Sequence, residues 1–83
     1  MTDLILYQRD DCHLCDLALA ELARARVPDF ASVFIDGDEG LEGRYGERVP
    51  VLRNLRDGRE LAWPFDAAGL AAWLNPPAAR PGR

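Results

Sequence analysis

The sequence predicts a small α/β domain: a four-stranded mixed sheet in β-α-β-(short α)-β-β-α order, with helices on both faces. Three observations predict it. Two strand-like segments, Leu4–Tyr7 and Ser32–Asp36, bracket a stretch with helical spacing of apolar residues. Two further short segments, starting at Val51 and Arg59, flank Arg56-Asp57-Gly58, where Asp-Gly is a hairpin signal. An apolar helical stripe then follows Asp66. A chain of 83 residues holds one core, so residues 1–75 are expected to form a single domain.

Each element has its own reason. Leu4-Ile5-Leu6-Tyr7 is a continuous apolar run, as expected of a strand buried on both faces. The polar turn Gln8–Asp11 follows. From about His13 to Arg26, Leu14, Leu17, Ala18, Leu22 and Ala25 recur at helical spacing among good helix formers, and Pro28 is expected to end the helix. Ser32–Asp36 reads as the second strand. The first two strands flank a helical crossover, so they should be parallel and the crossover right-handed. Residues Glu39 to Tyr45 read as a short helix weakened by Gly43. Val51 and Leu52 begin the third strand, and Arg59 to Trp63 form the fourth. Asp66 caps a last helix running through Leu74, with Leu70, Trp73 and Leu74 as its buried stripe. Asn75-Pro76-Pro77 stops it, and residues 76–83 are expected to be a disordered tail.

Charge and hydropathy narrow the function. The formal net charge is −4, and the ten cations, all arginine, never cluster in sequence. Phosphate-backbone binding needs a basic face, so nucleic acid is not an expected partner. No apolar run approaches the roughly 18 residues of a membrane helix, so no membrane association is expected. Met1-Thr2-Asp3 does not open a secretory signal, which makes the cytoplasm the expected compartment.

The two cysteines carry the most information. They lie within four residues, as Cys12-His13-Leu14-Cys15. A bridge this short closes almost no loop and adds little stability, so it is not a staple. It is a redox couple, half a metal site, or a coincidence of core cysteines. Structural zinc wants four N or S ligands, and only His13 remains to help. A Cys-x-x-Cys beside a βαβ pattern is instead a redox signature. At a helix start, unpaired N–H groups and a partial positive charge favour a thiolate. Cys12 is therefore read as the exposed nucleophile and Cys15, one turn inside, as the resolving thiol. Arg9 reinforces the Cys12 thiolate while Asp10, Asp11 and Asp16 oppose it, which predicts a thiol modestly below the roughly 8.5 of free cysteine. His13 either tunes this thiol or is a solvated first-turn residue. Tyr7 reads as core, as do Trp63 and Trp73. Arg44 and Arg48 read as solvated charges, with an anion site shared with Arg9 as the sharper alternative. Pro50, on spacing alone, reads as a trans proline opening an edge strand.

Strand, Cys-x-x-Cys at a helix start, Val49-Pro50 before a hairpin, and a closing helix together resemble a glutaredoxin. More closely, the chain from Leu4 to Leu74 resembles the short bacterial glutaredoxin-like proteins of the thioredoxin fold. The resemblance implies that Pro50 is cis and packs on the redox pair, with Val49 offering its backbone to a peptide or to glutathione. It also implies that Arg9 meets a glutathione carboxylate, that Arg48 stands where threonine is usual, and that Asp66 matches a glutathione-binding aspartate. His13 and Leu14 replace the usual Pro-Tyr, and Trp63-Pro64 replaces a Gly-Gly pair, which alters the glutamyl end of the glutathione site. The expected function is thiol-disulfide oxidoreduction by the Cys12–Cys15 pair. No bound cofactor is expected, and glutathione is the candidate reductant. The expected partner is a disulfide-containing protein or a glutathione mixed disulfide, met by a monomer. Two other readings stand beside it: a non-catalytic redox-sensing or partner-binding module, and metal or iron-sulfur binding across a dimer.

Overall fold

The computed structural model describes residues 3–27 and 29–75. Its elements are β1 (Leu4–Gln8), α1 (His13–Arg24), β2 (Ala31–Phe34), α2 (Glu39–Tyr45), β3 (Val51–Asn54), β4 (Glu60–Ala62) and α3 (Ala67–Leu74). The sheet order is β2-β1-β3-β4, with β1 and β2 parallel and the other two pairs antiparallel. This is the mixed sheet the element order predicts, in the thioredoxin-like arrangement the resemblance implies. Because β3 pairs with β1 on one side and β4 on the other, it is an interior strand and not the edge strand expected from Pro50. Among the described residues no helix is long and apolar enough to cross a membrane. The tail from Pro76 and the helix-ending role of Pro28 lie outside the described residues.

Strand alternation sorts the core into two layers. Leu4 and Leu6 join Leu52, Leu22 of α1 and Leu70 of α3 on one face. Ile5 and Tyr7 join Val33, Val51, Ile35 and Tyr45 on the other. Helices therefore cover both faces of β1, which is why it reads as an unbroken apolar run. Strand β2 is an edge, and only Val33 of its four residues is even partly buried. The second strand ends at Phe34, two residues earlier than expected. Ile35 still donates its N–H to Gln8 O at 2.9 Å, and Asp36 leaves the sheet to accept from Asp10.

Helix α1 buries Cys15, Ala18 and Leu22, while Leu14 and Leu17 are 45% and 41% exposed. The expected buried stripe is thus rotated. The helix presents Cys15 to the core, and that places Leu14 and Leu17 on its outer side. The helix also stops two residues sooner than expected, at Arg24. Arg26 adopts φ +59°, and its N–H donates to Ala23 O at 3.0 Å, while Val27 N–H donates to Leu22 O at 3.1 Å. These are the two bonds of a Schellman stop, with arginine where glycine is preferred. The left-handed conformation costs an L-residue about 1–2 kcal/mol, partly offset by the entropy glycine would lose on folding. Arg26→Gly is therefore expected to raise stability by about 0.5–1 kcal/mol. A higher urea midpoint with an unchanged slope would show it; a lower midpoint would refute it.

The β3–β4 hairpin is closed by Asn54 N–H to Arg59 O at 2.9 Å and Gly58 N–H to Asn54 O at 2.7 Å. Its loop is thus longer than a two-residue Asp-Gly turn. Gly58 takes φ +77° in the turn's last position. Asp57 accepts from the Arg59 N–H and guanidinium at 3.0 and 2.8 Å, which hold its carboxyl below the usual range. Arg59 also donates to Trp73 O at 3.0 Å and lies over the Trp73 ring, tying the end of α3 to the hairpin. Trp73 packs on the core, as expected. Trp63 instead meets Phe65 edge-on, with ring centroids 5.0 Å apart.

Candidate active site

The site is built where β1 hands over to α1. Asp11 takes φ +54°, a conformation that aspartate tolerates better than most residues, and this turns the chain into the helix. Cys12 is the N-cap of α1: its backbone is extended, and its Sγ accepts the Cys15 N–H at 3.1 Å. Asp16 N–H closes the first helical turn on Cys12 O at 3.1 Å. Cys12 and Cys15 form a disulfide with a Cα–Cα distance of 5.2 Å. Cys12 is half-buried, whereas Cys15 is 1% exposed. The pair is thus asymmetric: Cys12 is partly exposed at a helix N-terminus and Cys15 is buried.

The loop ahead of Cys12 is tied to the far side of the sheet. Arg9 forks onto Glu42, with contacts of 2.6 and 3.1 Å, and donates to Gly46 O at 3.0 Å. It also reaches Asp36 at 3.5 Å, and the same Asp36 accepts the Asp10 N–H at 2.7 Å. Arg9 is thereby engaged by α2 and by the turn after β2. His13 occupies the first position of α1 and is exposed.

Register brings the second motif to the same end of the sheet. Tyr7 pairs with Val51, which sets Pro50 beside Gln8, where the cysteine loop departs. The Val49–Pro50 bond is cis, not the trans bond that spacing alone suggests, and Pro50 is fully buried. Val49 N–H donates to Tyr45 O at 3.0 Å, and Pro50 O accepts from Trp63 N–H at 3.0 Å. The Trp63–Pro64 bond is also cis. Asp66 is the N-cap of α3 and accepts the Gly69 N–H at 2.8 Å. The next N–H of that helix, on Ala67, is taken by Glu21 of α1 at 2.9 Å.

Sequence reasoning named Arg44 and Arg48, as solvated charges or an anion site with Arg9, but missed the Tyr45–Glu60 centre that gathers them. Tyr45 is fully buried, stacks on Tyr7 with centroids 4.2 Å apart, and donates its hydroxyl to Glu60 at 2.6 Å. Arg48, Arg44 and Arg53 approach the same carboxylate at 3.3, 3.6 and 4.0 Å. The Tyr45 hydrogen bond holds Glu60 below the usual glutamate range, against its partial burial, with Arg48 and Arg44 adding to the effect. Burial and the Glu60 carboxylate push Tyr45 up. The cross-strand pairing of Arg53 with Glu60 is the only signal for this cluster, and it needs the hairpin register to be seen. Among the described residues, no three His, Cys, Asp or Glu side chains converge as a metal site within one chain.

Comparison with known proteins agrees with this geometry. Residues 3–75 match the glutaredoxin-like domain (DUF836). The X-ray structure of protein XcR50 from X. campestris is 65% identical, with a TM-score of 0.83, over 87% of this chain and 95% of that one. A solution structure of XcR50 is 60% identical at the same TM-score of 0.83, over 99% of this chain and 100% of that one. The solution structure of protein Ne2328 from Nitrosomonas europaea is 32% identical with a TM-score of 0.71, over 86% of this chain and 88% of that one. Comparison with curated proteins returns no match. With the family match running from the first strand through the last helix, around a Cys-x-x-Cys that caps α1, the chain belongs to the glutaredoxin-like domain family.

Proposed function

We propose that the protein is a thiol-disulfide oxidoreductase working by dithiol exchange. The observation that carries this reading is the asymmetry of the pair: Cys12 is partly exposed and its Sγ caps α1, while Cys15 is buried. In the reduced protein the Cys15 N–H and the α1 N-terminus favour a Cys12 thiolate. That thiolate attacks a partner disulfide, forms a mixed disulfide and expels one partner thiolate. Cys15, as thiolate, then attacks Cys12 Sγ and expels the second partner thiolate. Two electrons pass from the cysteine pair to the partner, so the step itself calls for no bound cofactor.

The partner in this reading is a protein disulfide. Exposed Leu14 and Leu17 extend from the cysteine pair along α1 and offer an apolar shoulder for a polypeptide. The Val49 carbonyl is the backbone group left to meet it, since the Val49 N–H already serves Tyr45. Arg9 is engaged by Glu42, so in our reading it braces the loop and does not wait for a glutathione carboxylate. His13, Arg48 and Asp66 border the same end of the fold but reach the partner only through solvent-facing atoms.

The test is equilibration in a glutathione redox buffer, with thiols trapped and species resolved by mass. A reversible two-electron couple between about −120 and −270 mV supports the proposal. A pair that never oxidises, or a disulfide that never reduces, overturns it in favour of a binding module. An adduct of glutathione on Cys12 in the same buffer shows that glutathione reaches this sulfur and brings back the glutaredoxin-like route beside the protein disulfide.

A further inference from the structure

We infer that Arg44 and Arg48 form a docking site for acidic side chains of the protein whose disulfide is reduced, an inference that rests on the reading above. Three guanidiniums converge on one carboxylate, Glu60. One carboxylate accepts a single bidentate pair well, whereas each guanidinium carries five N–H donors. Only Arg48 comes within hydrogen-bond distance of Glu60, at 3.3 Å; Arg44 stands off at 3.6 Å. The Nε of Arg53 is buried without a partner among the described residues. The cluster is therefore short of acceptors.

The two outer arginines are also held together and held outward. Both guanidiniums sit near the Tyr45 ring, at 5.4 and 5.7 Å from its centroid, and Tyr7 stacks on that ring as well. Their side chains remain 58% and 47% exposed. A surface hollow of about 470 Å³ opens beside them, lined also by Gly43, Gly46, Glu42 and Glu47. Glu42 is already engaged by Arg9, which leaves Glu60, shared among the arginines, and exposed Glu47 as the competing charges. An acidic protein of net charge −4 thus presents two partly exposed guanidiniums side by side here. Arg48 adjoins Val49 and Pro50, so its backbone lies at the end of the sheet from which the cysteine loop departs, while both guanidiniums turn to Glu60 on the Tyr45 face of the sheet. An acidic stretch near the target cysteine would be steered there and oriented before exchange. Nucleic acid fits less well, because a long polyanion would also meet the acidic remainder of the surface.

The test uses three disulfides, a small uncharged one and two peptides that differ only in acidic against neutral residues beside the bridge, with a glutathionylated neutral peptide as a control. The readout is the acidic-to-neutral ratio of kcat/KM, in which any general loss of folded protein cancels. The wild-type ratio is expected to be roughly tenfold at low salt and to shrink as salt is added. Arg44→Gln should lower it about threefold, Arg44→Lys should retain most of it, and Arg44→Glu should bring it to one or below. Glu47→Gln should raise it. A wild-type ratio near one, or a ratio unmoved by Arg44→Glu, overturns the inference and leaves the oxidoreductase reading standing. So does a dependence on Arg44 that appears only with a glutathionylated neutral peptide, since that assigns the arginines to the carboxylates of glutathione. Failure to reduce any of the three disulfides overturns the oxidoreductase reading, and this inference with it.

Discussion

Cys12→Ser is expected to abolish disulfide exchange, and Cys15→Ser to stop it halfway, at a mixed disulfide with the partner. The two outcomes differ because the two sulfurs differ. Cys12 is half-buried at the N-cap, and its Sγ accepts the Cys15 N–H at 3.1 Å. That hydrogen bond and the helix dipole are worth most to an anion, so in the proposed exchange this sulfur is the one that attacks. Serine in its place can still cap the helix, so the fold survives while the nucleophile is lost. Cys15 is 1% exposed and meets no outside disulfide directly. Its work begins once Cys12 is bridged to a partner, when it lies one helical turn away. Incubation of Cys15→Ser with a protein disulfide should therefore accumulate a covalent adduct visible by mass and released by a small thiol. A Cys15→Ser protein that turns over a protein disulfide as fast as wild type would refute the dithiol mechanism.

Much of this site is legible in the sequence, for a definite reason. The spacing Cys12-x-x-Cys15 is local, and so is its placement between an apolar strand and a helical period. Helix α2 spans Glu39–Tyr45, as the sequence predicts, because Asp38 supplies a cap and accepts the Leu41 N–H at 3.1 Å. Local signals fail where the deciding partner is distant. Arg9 sits in a polar turn and reads as a charge beside Cys12, yet it forks onto Glu42, 33 residues later. Glu60 and Tyr45 look like a surface acid and a helix-end aromatic until the sheet register stacks Tyr45 on Tyr7. The α1 stop is missed for the opposite reason. Its signal is local, but Arg26 occupies a left-handed position that composition assigns to glycine. Leu14 and Leu17 fit a buried helical stripe by period alone. The core instead takes the stripe through Cys15, Ala18 and Leu22, which places the second cysteine inside.

Tyr45→Ala is expected to cost about 3–5 kcal/mol, enough to unfold much of a domain this small at room temperature. The side chain is among the largest that are fully buried, and it fills the layer between Tyr7, Ile35 and Val51. Its backbone carbonyl also accepts from Arg48 and Val49 at 2.8 and 3.0 Å, so the loop carrying Pro50 loosens with it. Tyr45→Phe separates packing from polarity. It keeps the ring and removes the hydroxyl from Glu60, at a cost of about 0.5–1.5 kcal/mol near neutral pH. The two variants are then distinguished by pH. In the wild type Glu60 titrates below its ordinary value of 4.5 in the fold, chiefly because Tyr45 donates to it. Its contribution is fully present above that value and is lost as pH falls through the lower folded one. Tyr45 is pushed above its ordinary 10.0, so its contribution is present below that value and is lost as pH rises through the higher folded one. Tyr45→Phe should therefore lose the alkaline limb entirely and flatten the acid limb, since Glu60 returns toward its ordinary value. Urea midpoints measured across the acid, neutral and alkaline ranges would show both changes. An alkaline limb that persists in Tyr45→Phe would place the titrating group elsewhere and remove the Tyr45–Glu60 bond as the brace of this loop.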